Sequence, residues 1–154
     1  MKKTLLLLSL VLILGGCGIN PSQKIGEEIT IKGKQGETLT FGAKELPTNF
    51  PSDMPVYPGA KPSGSYAATG NEASMIVALE VAEDFNKVAS YYGAELKKNG
   101  WNIKNSAAVQ DGTMYSISKG ERMGTVTVSK KTGGEGVEIA IVLGKKKIEG
   151  AGVE

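Results

Sequence analysis

The sequence predicts an α+β fold: an antiparallel β-sheet with one amphipathic helix packed on one face, in the order ββαββββ. Three observations predict it. Helical periodicity is clear in one stretch, where Phe85, Val88, Ala89, Tyr92 and Leu96 fall at i, i+3, i+4, i+7 and i+11. The segments around it alternate apolar and polar residues with period two, and turn signals such as Gly70-Asn71, Asp111-Gly112 and Gly120-Glu121 separate them. The composition, with 21 glycines and 6% aromatic residues, suits a small turn-rich β protein rather than a helical bundle. One helix among several strands buries its apolar stripe most simply by lying across a sheet face.

Each element has its own signal. Ser63–Thr69 reads as a strand. Ala73–Val81 reads as a stronger one, with Met75, Val77, Leu79 and Val81 on one side and Ile76 and Ala78 on the other. Apolar residues on both sides predict a central strand. Asp84 is placed to cap the helix. Lys97 and Lys98 complement the dipole of its last turn, and Gly100 supplies a left-handed stop. Four strands follow: Trp101–Val109 with Trp101 and Ile103 inward, Thr113–Lys119, Met123–Ser129 with Val126 and Val128 inward, and Val137–Leu143. Trp101 is read as a packing residue.

Two segments precede this domain. Ile29 and Ile31 alternate with Thr30 and Lys32, and Leu39 and Phe41 alternate with Thr38 and Thr40, around a glycine turn at 33–36. That is a hairpin signal. An isolated hairpin is barely stable in water, so its Ile/Leu/Phe face is expected to dock on the main domain or on a partner. Five prolines between Pro47 and Pro62 are then expected to hold the chain extended, anchored by Phe50, Val56 and Tyr57. Pro55-Val56-Tyr57-Pro58 also fits the bare PxxP spacing.

The N-terminus reads as an address. Met1-Lys2-Lys3 is a positive start, Thr4 to Leu14 an apolar run, and Gly15-Gly16 a small-residue end. This order is a secretory signal, and the run is shorter than the ~20 residues needed to span a bilayer core. Leu14, Gly15, Gly16 and Cys17 resemble the lipobox of bacterial lipoproteins. That resemblance implies a diacylglycerol thioether on Cys17, cleavage before it and acylation of its new amino group. The expected organisation is a signal peptide over 1–16, lipidated Cys17 and a tether over 17–26, a hairpin over 27–46 and a proline-rich stretch over 47–62. The α+β domain spans 63–144 and a polar tail 145–154.

A wider resemblance joins these pieces. Phe50-Pro51-Ser52-Asp53-Met54-Pro55-Val56-Tyr57-Pro58-Gly59-Ala60 leads into a strand, and the helix carries Tyr91-Tyr92 and Leu96 before Gly100-Trp101. With the preceding hairpin, residues 27–144 resemble a group of uncharacterised bacterial lipoproteins. The resemblance implies the address and the fold, and carries no activity with it.

Chemistry is bounded mainly by what is missing. The chain has no histidine and one cysteine. Histidine-based triads and the commonest metal ligand are therefore absent, and no intramolecular disulfide can form. Asp53, Asp84 and Asp111 are not spaced as a calcium loop. Glu83-Asp84 and Ser129-Lys130 are adjacent pairs that diverge, and Thr132–Gly136 lacks the Lys-Ser/Thr of a phosphate loop. No catalytic residue, metal or cofactor is expected. Without Lys2 and Lys3 the 18 basic residues fall to 16, matching the 16 acidic ones. A neutral mature chain argues against nucleic acid as a partner, and none is expected. Lys145-Lys146-Lys147 is a basic cluster, read as solvated tail or as a contact for anionic headgroups. The expected function is a non-enzymatic binding module of the cell envelope. It would be held to the membrane by the lipid on Cys17, on the outer face of the cytoplasmic membrane or on an outer membrane. Its partner would be an envelope protein or cell-wall ligand. The alternatives are an accessory subunit in envelope assembly and, less favoured, an enzyme working through carboxylates alone.

Overall fold

The helix sets the architecture. In the computed structural model α1 spans Phe85–Lys98. Asp84 caps it, its carboxylate accepting from the backbone N–H groups of Asn86 and Lys87 at 2.9 and 3.2 Å. Its end is a Schellman turn. Gly100, at φ +79°, donates to the Lys97 carbonyl, and Trp101 N–H donates to the Leu96 carbonyl at 2.9 Å. Both boundaries follow the sequence signals. The structure describes residues 29–34, 37–41, 45–68 and 74–145. The signal, the lipobox Leu14–Cys17, the tether, part of the hairpin turn, and Lys146 and Lys147 lie outside the described residues.

The fold is α+β, with one helix against an eight-stranded antiparallel sheet. The strands are β1 (Ile29–Lys32), β2 (Thr38–Phe41), β3 (Lys61–Ala68), β4 (Ser74–Val81), β5 (Asn102–Val109), β6 (Gly112–Lys119), β7 (Arg122–Lys130) and β8 (Val137–Lys145). In space they run β1-β2-β3-β4-β8-β7-β6-β5. The chain builds one meander outward to β4, crosses the sheet along α1, and returns inward from the far edge until β8 meets β4. The dimensions fit this path. Four strand spacings from β4 to β5 are about 19 Å, and a 14-residue helix is about 21 Å long.

The core lies between α1 and one sheet face. Val88, Tyr92 and Leu96 from the helix are fully buried, and meet Val77, Leu79, Val126, Val128, Ile139 and Ile141 from the strands. Trp101 is 2% exposed, as expected of a packing residue. Burying each aliphatic side chain contributes roughly 1.5–3 kcal/mol before entropy is charged.

Two expectations are corrected. The proline-rich stretch is not extended: Phe50 N–H bonds to the Pro47 carbonyl, Met54 to Pro51 and Ala60 to Tyr57, making three successive tight turns. Proline suits turns as well as extended chain, and Gly59 at φ +81° completes the last of them. This folding drives Met54 to 3% exposure, deeper than the anchors Phe50, Val56 and Tyr57. β4 is central in the sheet, and only its helix-facing side is buried; Ile76 is 43% exposed. The second correction is the hairpin, which docks by its edge rather than its face. β2 pairs with β3, and the apolar side of the hairpin remains open, with Ile31 56% and Phe41 52% exposed. Main-chain pairing joins a hairpin to a sheet without covering either face.

Candidate functional site

The polar chemistry of the domain concentrates where the proline-rich turns cross the β6–β7 hairpin. The turn at Pro51–Met54 presents Asp53 to two cations that flank the Gly120-Glu121 turn, Lys119 at the end of β6 and Arg122 at the start of β7. Arg122 grips the carboxylate with both terminal nitrogens, Nη1 donating to Oδ1 at 2.9 Å. Lys119 Nζ lies 2.7 Å from Oδ2 and also donates to the Asn99 carbonyl at 2.7 Å. The Arg122 guanidinium stacks over the Trp101 ring, 4.8 Å from its centroid, while Trp101 Nε1 donates to the Asp53 carbonyl at 2.9 Å. The hydrogen bond from Arg122 holds the Asp53 carboxyl well below the usual carboxylate range, aided by Lys119 and against a smaller desolvation effect. One residue thus ties the turns, the helix end and the β6–β7 hairpin together. A carboxylate this firmly ionised is a fastener, not a proton donor.

Beside this latch opens a cleft of about 160 Å³ at the end of the sheet. Its floor is apolar, formed by Pro51, Ala68, Met75 and Leu143. Arg122 and Lys145, register partners across β7 and β8, stand at its lip with Asn49. Arg122 and Lys145 are the charged side chains of its lining, and Arg122 is already gripped by Asp53. The volume is close to that of engineered apolar cavities that accept benzene.

A larger groove of about 590 Å³ lies at the opposite end of the sheet, where Tyr57, Lys61, Glu80, Glu83, Lys131 and Glu135 meet. It brings together the carboxylates on which a hydrolytic site would depend. Glu80 pairs with Lys131. Glu83 accepts from Lys87 Nζ at 3.2 Å, from the Asp84 backbone N–H and from Tyr57 Oη, and these bonds, that from Lys87 first, lower its pKa. A general acid requires a raised pKa, and that of Glu83 is lowered.

The remaining residues singled out in the sequence take structural places. Asp84 caps α1. Ser129 and Lys130 point to opposite sides of β7. Thr132–Gly136 is the β7–β8 turn, with Gly133 and Gly136 at positive φ. The tyrosines fasten elements: Tyr91 Oη donates to the Val56 carbonyl and Tyr115 Oη to the Ala89 carbonyl, at 2.8 and 2.9 Å. Tyr57, Tyr91 and Tyr92 meet edge to face, and burial raises the Tyr92 pKa strongly. Among the described residues no cluster of three His, Cys, Asp or Glu side chains could hold a metal, and no helix is long and apolar enough to cross a membrane.

Sequence reasoning missed the latch. Its partners are 69 residues apart, beyond any local pattern. One signal was available: Arg122 is the only arginine among 18 cationic side chains, and a bidentate grip on a carboxylate is the task that separates arginine from lysine.

Residues 60–139, just over half of the 154-residue chain, match a family model described as START domain-like. The chain belongs to the START domain-like family. The match takes in β3, β4, α1, β5, β6, β7 and the start of β8, the meander halves and the helix that bridges them. Comparison with the curated proteins gives no match. Membership suggests a ligand-binding module. In this START domain-like chain the space between helix and sheet is filled by side chains such as Val88, Tyr92 and Leu96. The recesses described above lie instead at the two ends of the sheet.

Proposed function

We propose that the protein is a non-enzymatic binding module for a small apolar ligand bearing a negative or strongly polar group, carried outside the cytoplasmic membrane by a lipid on Cys17. The observation that carries the ligand reading is the cleft with an apolar floor of Met75 and Leu143 and a cationic lip of Arg122 and Lys145. Few polar groups converging on an apolar recess is the usual design of a binding site. Membership of the START domain-like family supports a binding role, and the pairing of Glu80 with Lys131 and of Glu83 with Lys87 disfavours carboxylate catalysis. The address rests on Leu14-Gly15-Gly16-Cys17 behind a positive, then apolar, N-terminus.

Two experiments test the two halves separately. Native mass spectrometry of protein extracted gently from membranes should reveal a bound small molecule, and Met75→Trp, which fills the cleft floor, should abolish it while the fold persists. Retention of the same ligand by that variant would place the site elsewhere. Cys17→Ala should abolish metabolic labelling with palmitate, and persistent labelling would end the anchor reading.

A further inference from the structure

The sheet face turned away from α1 is unlike an ordinary solvated face. Following the strand registers across the sheet, Ile31, Leu39, Tyr66, Ile76 and Val142 stand side by side on five consecutive strands. The same row continues through Thr125 and Ser116 to Asn105. The neighbouring row carries Phe41, Ala78 and Ala140. Neither row holds a charged side chain on any of the eight strands, in a chain that is 22% charged. Exposure is greatest at the β1–β2 end: Ile31 56% and Phe41 52%, against Ile76 43% and Val142 38%. Contiguous exposed apolar surface of this kind marks an interaction site.

We propose that this face seats on the surface of a lipid bilayer. The inference rests on the reading of Cys17 as lipid-bearing, and the chain itself then names the occupant. Only residues 18–28 separate Cys17 from Ile29, a reach of at most about 40 Å when fully extended. The strand that receives this tether is β1, at the edge of the sheet and at the most exposed end of the apolar row. An anchor so close makes the contact effectively intramolecular, and even a weak interfacial preference is then satisfied. Tyr66, in the middle of the row, is the residue type favoured at the level of lipid headgroups.

The chain's one cysteine is blocked when acylated, so a second cysteine labels uniquely. Phe41→Cys, Val142→Cys and, on the exposed side of α1, Ser90→Cys would each carry a nitrobenzoxadiazole probe on the full lipidated chain. The chain would be reconstituted in phosphatidylcholine–phosphatidylglycerol vesicles with or without brominated acyl chains. Probes at 41 and 142 should emit to the blue of the probe at 90 and lose at least about half of their emission to brominated lipid, while the probe at 90 is unaffected. Retained Trp101 emission would show that each variant is folded. Vesicle flotation with all three probes equally water-exposed would overturn the membrane-facing orientation and leave the anchor standing. Failure to float would overturn the anchor, and this inference with it. A blue shift without bromine quenching, together with cross-linking between copies, would assign the face to a second copy and overturn the inference.

Discussion

On β4, Met75, Val77 and Leu79 are 6%, 0% and 1% exposed, whereas Ile76, between the first two, is 43% exposed. The same contrast runs along β8, where Ile139, Ile141 and Leu143 are buried and Val142 is 38% exposed. Both faces carry branched apolar side chains on the same strands. The difference is the cover: α1 and the proline-rich turns close one face, and nothing among the described residues closes the other. Apolar character alone therefore does not define a core. A core forms where a second layer arrives, and here the second layer is one 14-residue helix and a short run of turns.

The contrast can be broken by measurement. The largest effect is expected from Trp101→Ala, which should lower the unfolding free energy by about 3–5 kcal/mol in urea titration. Besides core contacts it removes the Nε1 bond to Asp53 and the platform beneath Arg122. If Ile76→Ala on the other face costs as much, the two faces are not different in the way described.

Asp53→Asn comes next, at about 1–3 kcal/mol, the usual worth of hydrogen bonds to a charged group. This variant also has a signature in pH. The folded-state pKa of Asp53 lies below its unfolded value, so the folded state binds fewer protons through this group. Its contribution is present in full above the ordinary carboxylate range and is lost as pH falls through about 4 and below. Wild type and Asp53→Asn should therefore differ most at neutral pH and converge in acid. Parallel curves would mean that the latch adds no pH-dependent stability.

Loss of the helix cap is smaller. Asp84→Ala should cost about 1 kcal/mol, read as a lowered melting temperature with an unchanged sheet signal. The smallest effect belongs to the open face. Phe41→Ser should move stability by no more than about 0.5 kcal/mol, because a side chain already 52% exposed has little burial to lose. A loss of 2 kcal/mol or more would show that this face is covered in the folded chain after all.

Local elements were legible in the residues. Asp84, Gly100 and the Phe85–Leu96 spacing define both ends and the buried stripe of α1, because capping and periodicity act within a turn or two of chain. The alternation in β4 and β8 assigns the inward residues correctly for the same reason. The proline-rich stretch misleads, since proline fixes one dihedral angle and leaves turn and extended chain both open. Met54 was missed as a core residue on that account. The candidate cleft was not legible at all: Pro51, Met75, Arg122 and Leu143 come from four segments, and no spacing in the sequence relates them.

By itself the sequence determined the helix and its caps, the strand periodicities, the absence of histidine chemistry and the expectation of a lipid-bearing Cys17. These depend on neighbours along the chain or on composition. Only the tertiary structure decided that β8 returns to pair with β4, that the hairpin extends the sheet with its apolar side open, and that Asp53 meets Arg122. Each of those joins residues tens of positions apart. Their partners are selected by which surfaces the assembled layers bring together, and an alternating strand states that it has an apolar side without stating what will cover it.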